Sequence, residues 1–357
     1  DRRQRQMCIR DRTQESSITL PAGDSFENLA ISPDKARLLT INQQTAQAYF
    51  LDIDYNNFSQ STITVKDLFY FGASILSGTK MTFAPDGTAL ILEGNVLLSG
   101  TIIQNSVATE ISPDMSTVTS WQPVWGGPNM RGIATDIELY TAPGTQLALA
   151  SIRAYDASQP TTTSQGGILT WLYGSGASFS PLGSAQRFGP ITVDPPNNTI
   201  CAAASPNQVM RGVPCIFNYP SLTLTPGLTT APDNDYRDIQ FLAAGDLLVA
   251  MNAAPDSGGI PNIKRGIEVY RANEPGYPPF GRKFRIHDRD MLWSQTANSS
   301  NFELLALPND SVNWVVYIQS RGPSVPSLNV KSVAVLHIDS QAPVSGSCLL
   351  YTSPSPR

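Results

Sequence analysis

One short phrase recurs along this chain of 357 residues and limits the folds that the chain can adopt. The phrase is an apolar, strand-like run, a turn rich in Pro, Asp, Asn or Gly, and a second apolar run. Its six copies have turns near Asp34, Asp86, Gly144, Asn197, Gly245 and Asn309. A third apolar run follows each copy, such as "GILTWLY" from Gly167, and some copies have a fourth, such as "STITVKDLFYF" from Ser61.

These units predict an all-β fold. Pro fixes φ and Gly or Asn accepts a positive φ, so the phrase is turn chemistry between strands rich in Val, Ile, Leu and Tyr. Four antiparallel strands in a unit of about 50 residues are typical of a β-propeller blade. We therefore predict a β-propeller of six four-stranded blades, with seven blades as the alternative; β-sandwiches would not require such even spacing. The predicted blades span 22–70, 71–118, 119–183, 184–230, 231–296 and 297–347.

Two of the phrases also resemble known repeats. "ISPDKARLLT" and "FAPDGTALIL" are similar to the strand–turn–strand repeats of TolB-like, YncE-like and WD40-like β-propellers. The resemblance covers most of the chain and implies an architecture but no activity. The paired Trp-Asp and Gly-His marks of true WD40 repeats are absent from the sequence.

Both ends differ in composition from the repeats. Residues 1–12 and 348–357 resemble translated sequencing adapters, so we expect them to be non-native tails around a single β-propeller domain at 13–347. Without them the net charge moves from −5 to −9 and the basic arm disappears. No Lys/Arg stripe remains to track phosphates, so no nucleic acid partner is predicted. The visible segment has no run of 18 apolar residues, and no membrane span is predicted.

Long loops are predicted on one face of the propeller. In blades three to six, the loops between the second and third strands begin near Ala154, Ser205, Asn252 and Ser320. Loops on a rigid scaffold often carry function, so we predict that this face binds a partner. Tolerated insertions without a role are the alternative.

Charged residues stand at the start of the innermost strands. The candidate ligand-binding residues at the channel mouth are Glu27, Lys80, Arg131, Arg187, Arg237 and Glu303. A mixed ring of charges could hold a polar or anionic ligand. Salt bridges between blades are the alternative interpretation.

Catalytic and metal chemistry is sparse in the sequence. No catalytic residue is predicted, and the two histidines, His287 and His337, are too far apart in sequence to indicate a multi-histidine metal centre. Two carboxylate clusters could offer oxygen ligands to calcium, although neither has the spacing and glycine of a calcium-binding loop and turn capping is the favoured explanation. The clusters are Asp52 with Asp54, and Asp233 with Asp235 and Asp238. No cofactor is predicted, and calcium is kept as the alternative.

Cys201 and Cys215 are a candidate disulfide, because the hairpin that joins them could bring them face to face. Two reduced thiols are the alternative. A disulfide would fit an extracytoplasmic location, meaning secreted, periplasmic or at the cell surface. Four N-x-S/T sequons, which matter only in a eukaryotic secretory pathway, begin at Asn57, Asn197, Asn298 and Asn309.

The sequence as a whole predicts a non-catalytic binding or scaffold propeller. It would present its loop-rich face to a protein or carbohydrate partner, as a monomer or as part of a longer chain. The alternative is a metal-dependent propeller hydrolase or lactonase with its site at the central channel. Such an enzyme needs several carboxylates or amides around one ion. A purely architectural repeat within a longer surface protein is a third interpretation.

Overall fold

The computed structural model describes most of the repeat region. The described residues are 26–57, 60–72, 75–98, 101–125, 129–158, 164–182, 187–205, 213–224, 236–242, 245–252, 266–273, 279–280, 283–287, 301–306, 313–320 and 332–338. They form β-strands joined by turns, with one short 3-10 helix at Pro195–Asn197. The chain divides into two compact units, unit 1 (1–122) and unit 2 (123–357). The predicted tails and the tips of the long loops lie outside the described residues.

Sheet 1 opens unit 1 and consists of four antiparallel strands in chain order. They are β1 (Phe26–Ile31), β2 (Arg37–Asn42), β3 (Gln47–Asp52) and β4 (Thr62–Asp67). Four consecutive residues of β3 are buried, whereas β4 is mostly exposed. The outermost strand of the sheet is therefore β4.

Sheet 2 completes unit 1, and its first strand is split. The strands are β5 (Ile75–Ser77), β6 (Lys80–Phe83), β7 (Ala89–Leu98), β8 (Thr101–Ile111) and β9 (Val118–Trp121). Both β5 and β6 pair with β7, and β8 and β9 follow in order. The sheet therefore keeps four strand positions with five strands.

The core of unit 1 lies between these two sheets. Leu39, Ile41 and Phe50 of sheet 1 pack in one apolar cluster with Phe83 and Ile91 of sheet 2. The rings of Phe50 and Phe83 meet edge to face with centroids 6.4 Å apart. Removing this apolar surface from water stabilises the unit by roughly 25 cal/mol per Å².

Three turns in unit 1 share one construction. Their sequences are SPDK (residues 32–35), APDG (84–87) and SPDM (112–115). In each, the Asp carboxylate accepts a hydrogen bond from the backbone N–H two residues later. The fourth residue has a positive φ, which is 89° at Gly87, 63° at Lys35 and 59° at Met115. The first two turns were predicted from the repeat phrase. The third, between β8 and β9, was not predicted.

Unit 2 begins with two four-stranded antiparallel sheets. Sheet 3 consists of β10 (Met130–Ala142), β11 (Thr145–Asp156), β12 (Ser164–Leu172) and β13 (Gly176–Pro181). Sheet 4 consists of β14 (Arg187–Asp194), β15 (Thr199–Ser205), β16 (Val213–Asn218) and β17 (Thr223–Leu224).

Two further sheets complete the described part of unit 2. Sheet 5 consists of β18 (Tyr236–Leu242), β19 (Leu247–Asn252), β20 (Gly266–Arg271) and β21 (Lys283–His287). Sheet 6 has three described strands, β22 (Asn301–Ala306), β23 (Asn313–Ser320) and β24 (Ser332–Ile338). In both sheets the strands pair in chain order.

The sheets of unit 2 stack through their first strands. β10 contacts β14, β14 contacts β18, and β18 contacts β22. Apolar clusters fill the two spaces between sheets 3 and 4 and between sheets 4 and 5. Phe188 and Phe217 meet edge to face in the first cluster, and Phe241 meets Phe280 in the second.

The predicted all-β class and the antiparallel four-stranded sheets are confirmed. Within the fourth apolar run "STITVKDLFYF", the strand β4 ends at Asp67 and residues 68–71 form a turn. The number of blades stays a prediction.

Trp125 precedes β10 in the chain, and its side chain packs on sheet 3. Its side chain is 2% exposed and contacts the ring of Phe179, with centroids 5.6 Å apart. A Cβ atom added at Gly132 would lie 2.4 Å from the indole. Gly132 therefore provides the space that the tryptophan occupies.

Gly132→Ala should destabilise the folded chain by about 1–3 kcal/mol, because the indole of Trp125 has to move out of its packed position. Urea unfolding followed by far-UV circular dichroism measures this loss. In a Trp125→Ala background, Gly132→Ala should lower the free energy of unfolding much less, since the indole that the new methyl group displaces is absent. An equal cost in both backgrounds would contradict the packing argument.

The SPDM turn gives a test at low pH. A hydrogen bond from the Ser112 hydroxyl, at 2.6 Å, and further bonds from Ser116 hold the pKa of Asp114 at about 2. A carboxyl with a lowered pKa stabilises the fold above its ordinary pKa, and this contribution is lost as the pH falls toward about 2. Ser112→Ala should raise the pKa of Asp114, which an NMR titration of its carboxyl carbon would show. An unchanged midpoint would mean that the hydroxyl bond is not formed in solution.

Candidate functional site

The six predicted charged residues all lie in first strands. Their positions are Glu27 in β1, Lys80 in β6, Arg131 in β10, Arg187 in β14, Arg237 in β18 and Glu303 in β22. The structure describes two of these side chains: Lys80 is half-buried and Arg131 is exposed. A ring of all six charges at a channel mouth stays a prediction.

Arg131 and Arg187 lie at the same end of two neighbouring strands, β10 and β14. The hydroxyl of Thr135 donates to the carbonyl of Phe188, near the start of β14, at 2.6 Å. The hydroxyl of Tyr140, farther along β10, donates to Asn198, just beyond the end of β14. β10 and β14 therefore run in the same direction, and this brings the start of β10, with Arg131, beside the start of β14.

Arg131 belongs to a basic and aromatic cluster, defined as Arg131, Arg153 and Tyr155. Arg131 pairs with Tyr155 across the β10–β11 ladder, and Arg153 lies two residues before Tyr155 on the same face. The Arg153 guanidinium carbon lies 5.5 Å from the centre of the Tyr155 ring. The buried ring fixes the cluster, while Arg131 extends into solvent.

The charge of Arg131 is available for a ligand. Its side chain makes no hydrogen bond or ion pair with the described part of the chain. Burial raises the pKa of the Tyr155 hydroxyl, and the two arginines act in the opposite direction. A planar guanidinium binds carboxylates and phosphates through two parallel hydrogen bonds. The cluster therefore presents to solvent a cationic group of the kind that binds anions.

The cluster adjoins a long loop on the predicted binding face. The loop leaves sheet 3 after Asp156, whose carboxylate accepts hydrogen bonds from the backbone N–H of Ser158 at 2.8 Å and from its hydroxyl at 2.6 Å. These bonds lower the pKa of Asp156. Residues 159–163, at the tip of the loop, lie outside the described residues.

A polar seam between β10 and β14 lies next to the cluster. A bulge in β10 leaves Thr135 without a ladder partner, and its hydroxyl instead contacts Ser151 at 2.7 Å. The carboxylate of Asp136 accepts the backbone N–H of Ile191 at 3.0 Å. Such side-chain bonds satisfy the backbone groups that a bulge removes from the ladder.

Glu138 is a functional candidate that the sequence reasoning missed. It lies two residues beyond Asp136 in β10, and its side chain is half-buried. Burial first, and the negative charge of Asp136 second, raise the pKa of Glu138 to about 8. A carboxyl that is neutral at pH 7 can donate a proton or a hydrogen bond. The available signal was "DIELY", in which two acids alternate within an otherwise apolar strand.

The carboxylates predicted as calcium ligands serve other roles. Asp52 forms an ion pair with Arg37 at 2.5 Å, and Asp54 accepts backbone N–H groups of its own loop. Asp238 accepts the N–H of Ile239 at 2.8 Å. Asp233 and Asp235 lie outside the described residues, as do the side chains of His287 and His337. Among the described side chains, no three His, Cys, Asp or Glu residues are grouped closely enough to hold a metal ion.

The cysteine register corrects the predicted disulfide. Cys201 in β15 lies opposite Ile216, while Cys215 in β16 lies opposite Ala202. Directly opposed residues share a face and adjacent residues do not, so the two sulfurs point to opposite faces of sheet 4. Cys201 belongs to the core against sheet 5 and Cys215 packs on the core against sheet 3. Both side chains are thiols.

None of the described residues forms a helix that is long and apolar enough to cross a membrane.

Comparisons with known proteins identify the fold. No protein-family model matches the chain, and no curated protein matches it. The structure is similar to the Dos1 propeller, with a TM-score of 0.55 and 13% identity over 92% of this chain and 72% of that one. It is also similar to the β-propeller domain of Cps50 (Swd1) from Myceliophteria thermophila, with a TM-score of 0.52 and 9% identity over 96% and 90% of the two chains.

A third similar structure is the periplasmic gluconolactonase PpgL of Pseudomonas aeruginosa. Its TM-score is 0.53, with 14% identity over 89% of this chain and 82% of that one. At these identities the likeness shows the fold alone. The chain therefore has a β-propeller-like architecture, as the repeat phrase predicted.

Glu138→Gln should remove part of the pH dependence of stability. The ordinary pKa of 4.5 applies in the unfolded chain, so the folded chain binds one more proton between about 4.5 and about 8. Stability that Glu138 contributes is therefore complete below pH 4.5 and is lost as the pH rises toward 8. Melting curves of the two chains should agree near pH 4, and the variant should melt several degrees higher near pH 9. A constant difference across this range would show that Glu138 is not protonated in the fold.

Proposed function

We propose that this chain is a non-catalytic binding module whose partner presents carboxylate groups to Arg131. The single observation that carries the proposal is the exposed Arg131 guanidinium, which has no partner in the described chain and lies beside the stacked Arg153–Tyr155 pair. An arginine held at a strand end, next to a loop, can bind an anion without a large rearrangement.

The partner class is a protein or a carbohydrate that carries carboxylates. Acidic side chains and uronic acids offer the same planar group to a guanidinium. The long loops of the predicted blades three to six would add specificity around this contact, because variable loops on a rigid scaffold are suited to recognition.

The finer architecture is also a proposal. We favour six blades in a closed ring, with seven as the alternative, because an open ring leaves sheet edges that promote aggregation. An extracytoplasmic location rests on the sequons, since the cysteines are thiols. Asn57 and Asn197 are exposed, although the side-chain amide of Asn197 donates to Asp194 at 2.6 Å.

Metal analysis separates this proposal from the hydrolase alternative. Mass spectrometry of the chain purified without chelator should find no stoichiometric metal. One bound calcium or transition ion per chain would overturn the proposal of a non-catalytic module. The next variants would then be made at Glu27 and Glu303, the carboxylates predicted at the channel mouth.

Arg131→Ala should weaken binding to an anionic polymer by roughly ten- to a hundredfold, because one charge-assisted bidentate contact contributes about 1.5–3 kcal/mol. The probes are polygalacturonate and polyglutamate, immobilised separately on a biosensor surface. Arg131→Lys should recover only part of the affinity, since lysine keeps the charge but lacks the planar fork. Lys35→Ala, at an exposed turn of sheet 1, is the matched control and should bind as the parent does. Equal affinities for Arg131→Ala and the parent would exclude this site.

A further inference from the structure

We propose that the outer strand of sheet 1 binds an extended peptide segment of a protein partner as an added β-strand. The surface consists of β4 and the turn that follows it, and we define its apolar stripe as Ile63, Val65, Phe69 and Phe71. This surface lies in unit 1 and is independent of the Arg131 cluster.

The edge of β4 offers backbone hydrogen bonds. In the described chain β4 pairs with β3 alone, so its second edge carries N–H and C=O groups that no described strand satisfies. Strand edges of this kind are templates for an incoming chain. Natural edges are often protected by proline or a bulge, and the six residues of β4 contain no proline and pair with β3 without a register shift.

The exposed apolar side chains within β4, Ile63 and Val65, follow the period of an extended peptide, and the turn after Asp67 carries the exposed rings of Phe69 and Phe71 beyond the end of the strand. Every second residue from Ile63 to Phe71 is exposed, whereas Thr64, Lys66, Leu68 and Tyr70 are half-buried or buried. The exposed fractions are 37% at Ile63, 40% at Val65, 47% at Phe69 and 55% at Phe71. A peptide strand places its own side chains at the same two-residue interval, so its apolar residues can meet Ile63 and Val65 along the ladder, and the rings of Phe69 and Phe71 can contact the peptide where it passes the end of β4.

A buried carboxylate holds the aromatic end of the stripe in place. The two oxygens of Glu93 accept the backbone N–H groups of Phe69 at 2.9 Å and Tyr70 at 3.0 Å. The Thr109 hydroxyl donates to the same carboxylate at 2.5 Å. The Tyr70 hydroxyl donates to the carbonyl of Asn105 at 3.1 Å. The exposed rings of Phe69 and Phe71 therefore project from a fixed backbone, which lowers the entropy cost of docking.

Charge defines the partner further. Asp67 lies in the middle of the stripe, exposed, and one of its oxygens accepts the side-chain amide of Gln47 at 2.8 Å. Its negative charge favours a Lys or Arg at the facing position of the peptide. The partner segment is thus extended, apolar at alternate positions and basic at one of them. A carbohydrate cannot form the backbone ladder that the edge provides.

The test measures binding of a fluorescently labelled heptapeptide, Val-Thr-Val-Thr-Lys-Thr-Val, to the full chain by anisotropy. Binding should saturate, and the amides of Thr62–Asp67 should exchange with deuterium more slowly in the complex. Phe69→Ala with Phe71→Ala should weaken binding about tenfold, or by about 1.4 kcal/mol. Asp67→Asn should weaken binding and reduce its dependence on salt.

The matched control is Tyr55→Ala. Tyr55 is 70% exposed, lies in the loop at the opposite end of sheet 1, and donates its hydroxyl to the carbonyl of Lys35. This variant should bind the peptide as the parent does. Glu93→Gln weakens the hydrogen bonds to the backbone of Phe69 and Tyr70 and leaves the exposed rings unchanged. This variant should bind the peptide more weakly, while circular dichroism shows an intact fold.

Three results would overturn the proposal. The first is equal binding of a peptide in which proline replaces the threonines, because proline cannot form the ladder. The second is slow exchange, without any peptide, of the β4 amides that point away from β3, because the edge would then already be covered. The third is binding of cellohexaose, in place of the peptide, that is lost in the double phenylalanine variant; this would make the stripe a carbohydrate platform.

Discussion

Neighbouring sheets are joined by hydrogen bonds between side chains in the first strand of one sheet and backbone groups in or beside the first strand of the following sheet. Asp136 accepts the N–H of Ile191, Thr192 accepts the N–H of Phe241, and Asn28 donates to the carbonyl of Thr79. The first strands of sheets 1, 3, 4 and 5 contain bulges, which remove backbone groups from the ladder. At the bulge of β14 the hydroxyls of Thr135 and Ser151 donate to the carbonyls of Phe188 and Gly189, and these bonds align sheet 3 with sheet 4.

This arrangement places carboxyl groups within or beside the sheets, where an uncompensated negative charge would be unfavourable. The carboxylate of Asp136 accepts the backbone N–H groups of Ile137 and Ile191. Glu138 has a backbone hydrogen bond from Leu139, yet burial and the charge of Asp136 raise its pKa to about 8. Glu93 accepts three hydrogen bonds, yet burial still raises its pKa. Asp136 and Glu93 thus serve alignment and positioning, whereas Arg131 at the end of sheet 3 is exposed to solvent.

The two proposed surfaces use different chemistry. The Arg131 cluster combines a guanidinium with a buried aromatic ring and suits a single anionic group. The stripe on β4 combines a strand edge with alternating apolar side chains and suits an extended chain. The two surfaces belong to different units of the chain.

The sequence by itself determined the all-β class, the turns and the order of strands, because these depend on local properties: the φ of Pro and Gly, and the two-residue alternation of apolar side chains. It also located Arg131 at a strand start. Only the tertiary structure decided which faces the side chains share. The one-residue offset between Cys201 and Cys215 places their sulfurs in different cores, and the raised pKa of Glu138 depends on its burial and on the charge of Asp136. Register and burial are set by contacts between residues distant in sequence, which a local pattern does not encode.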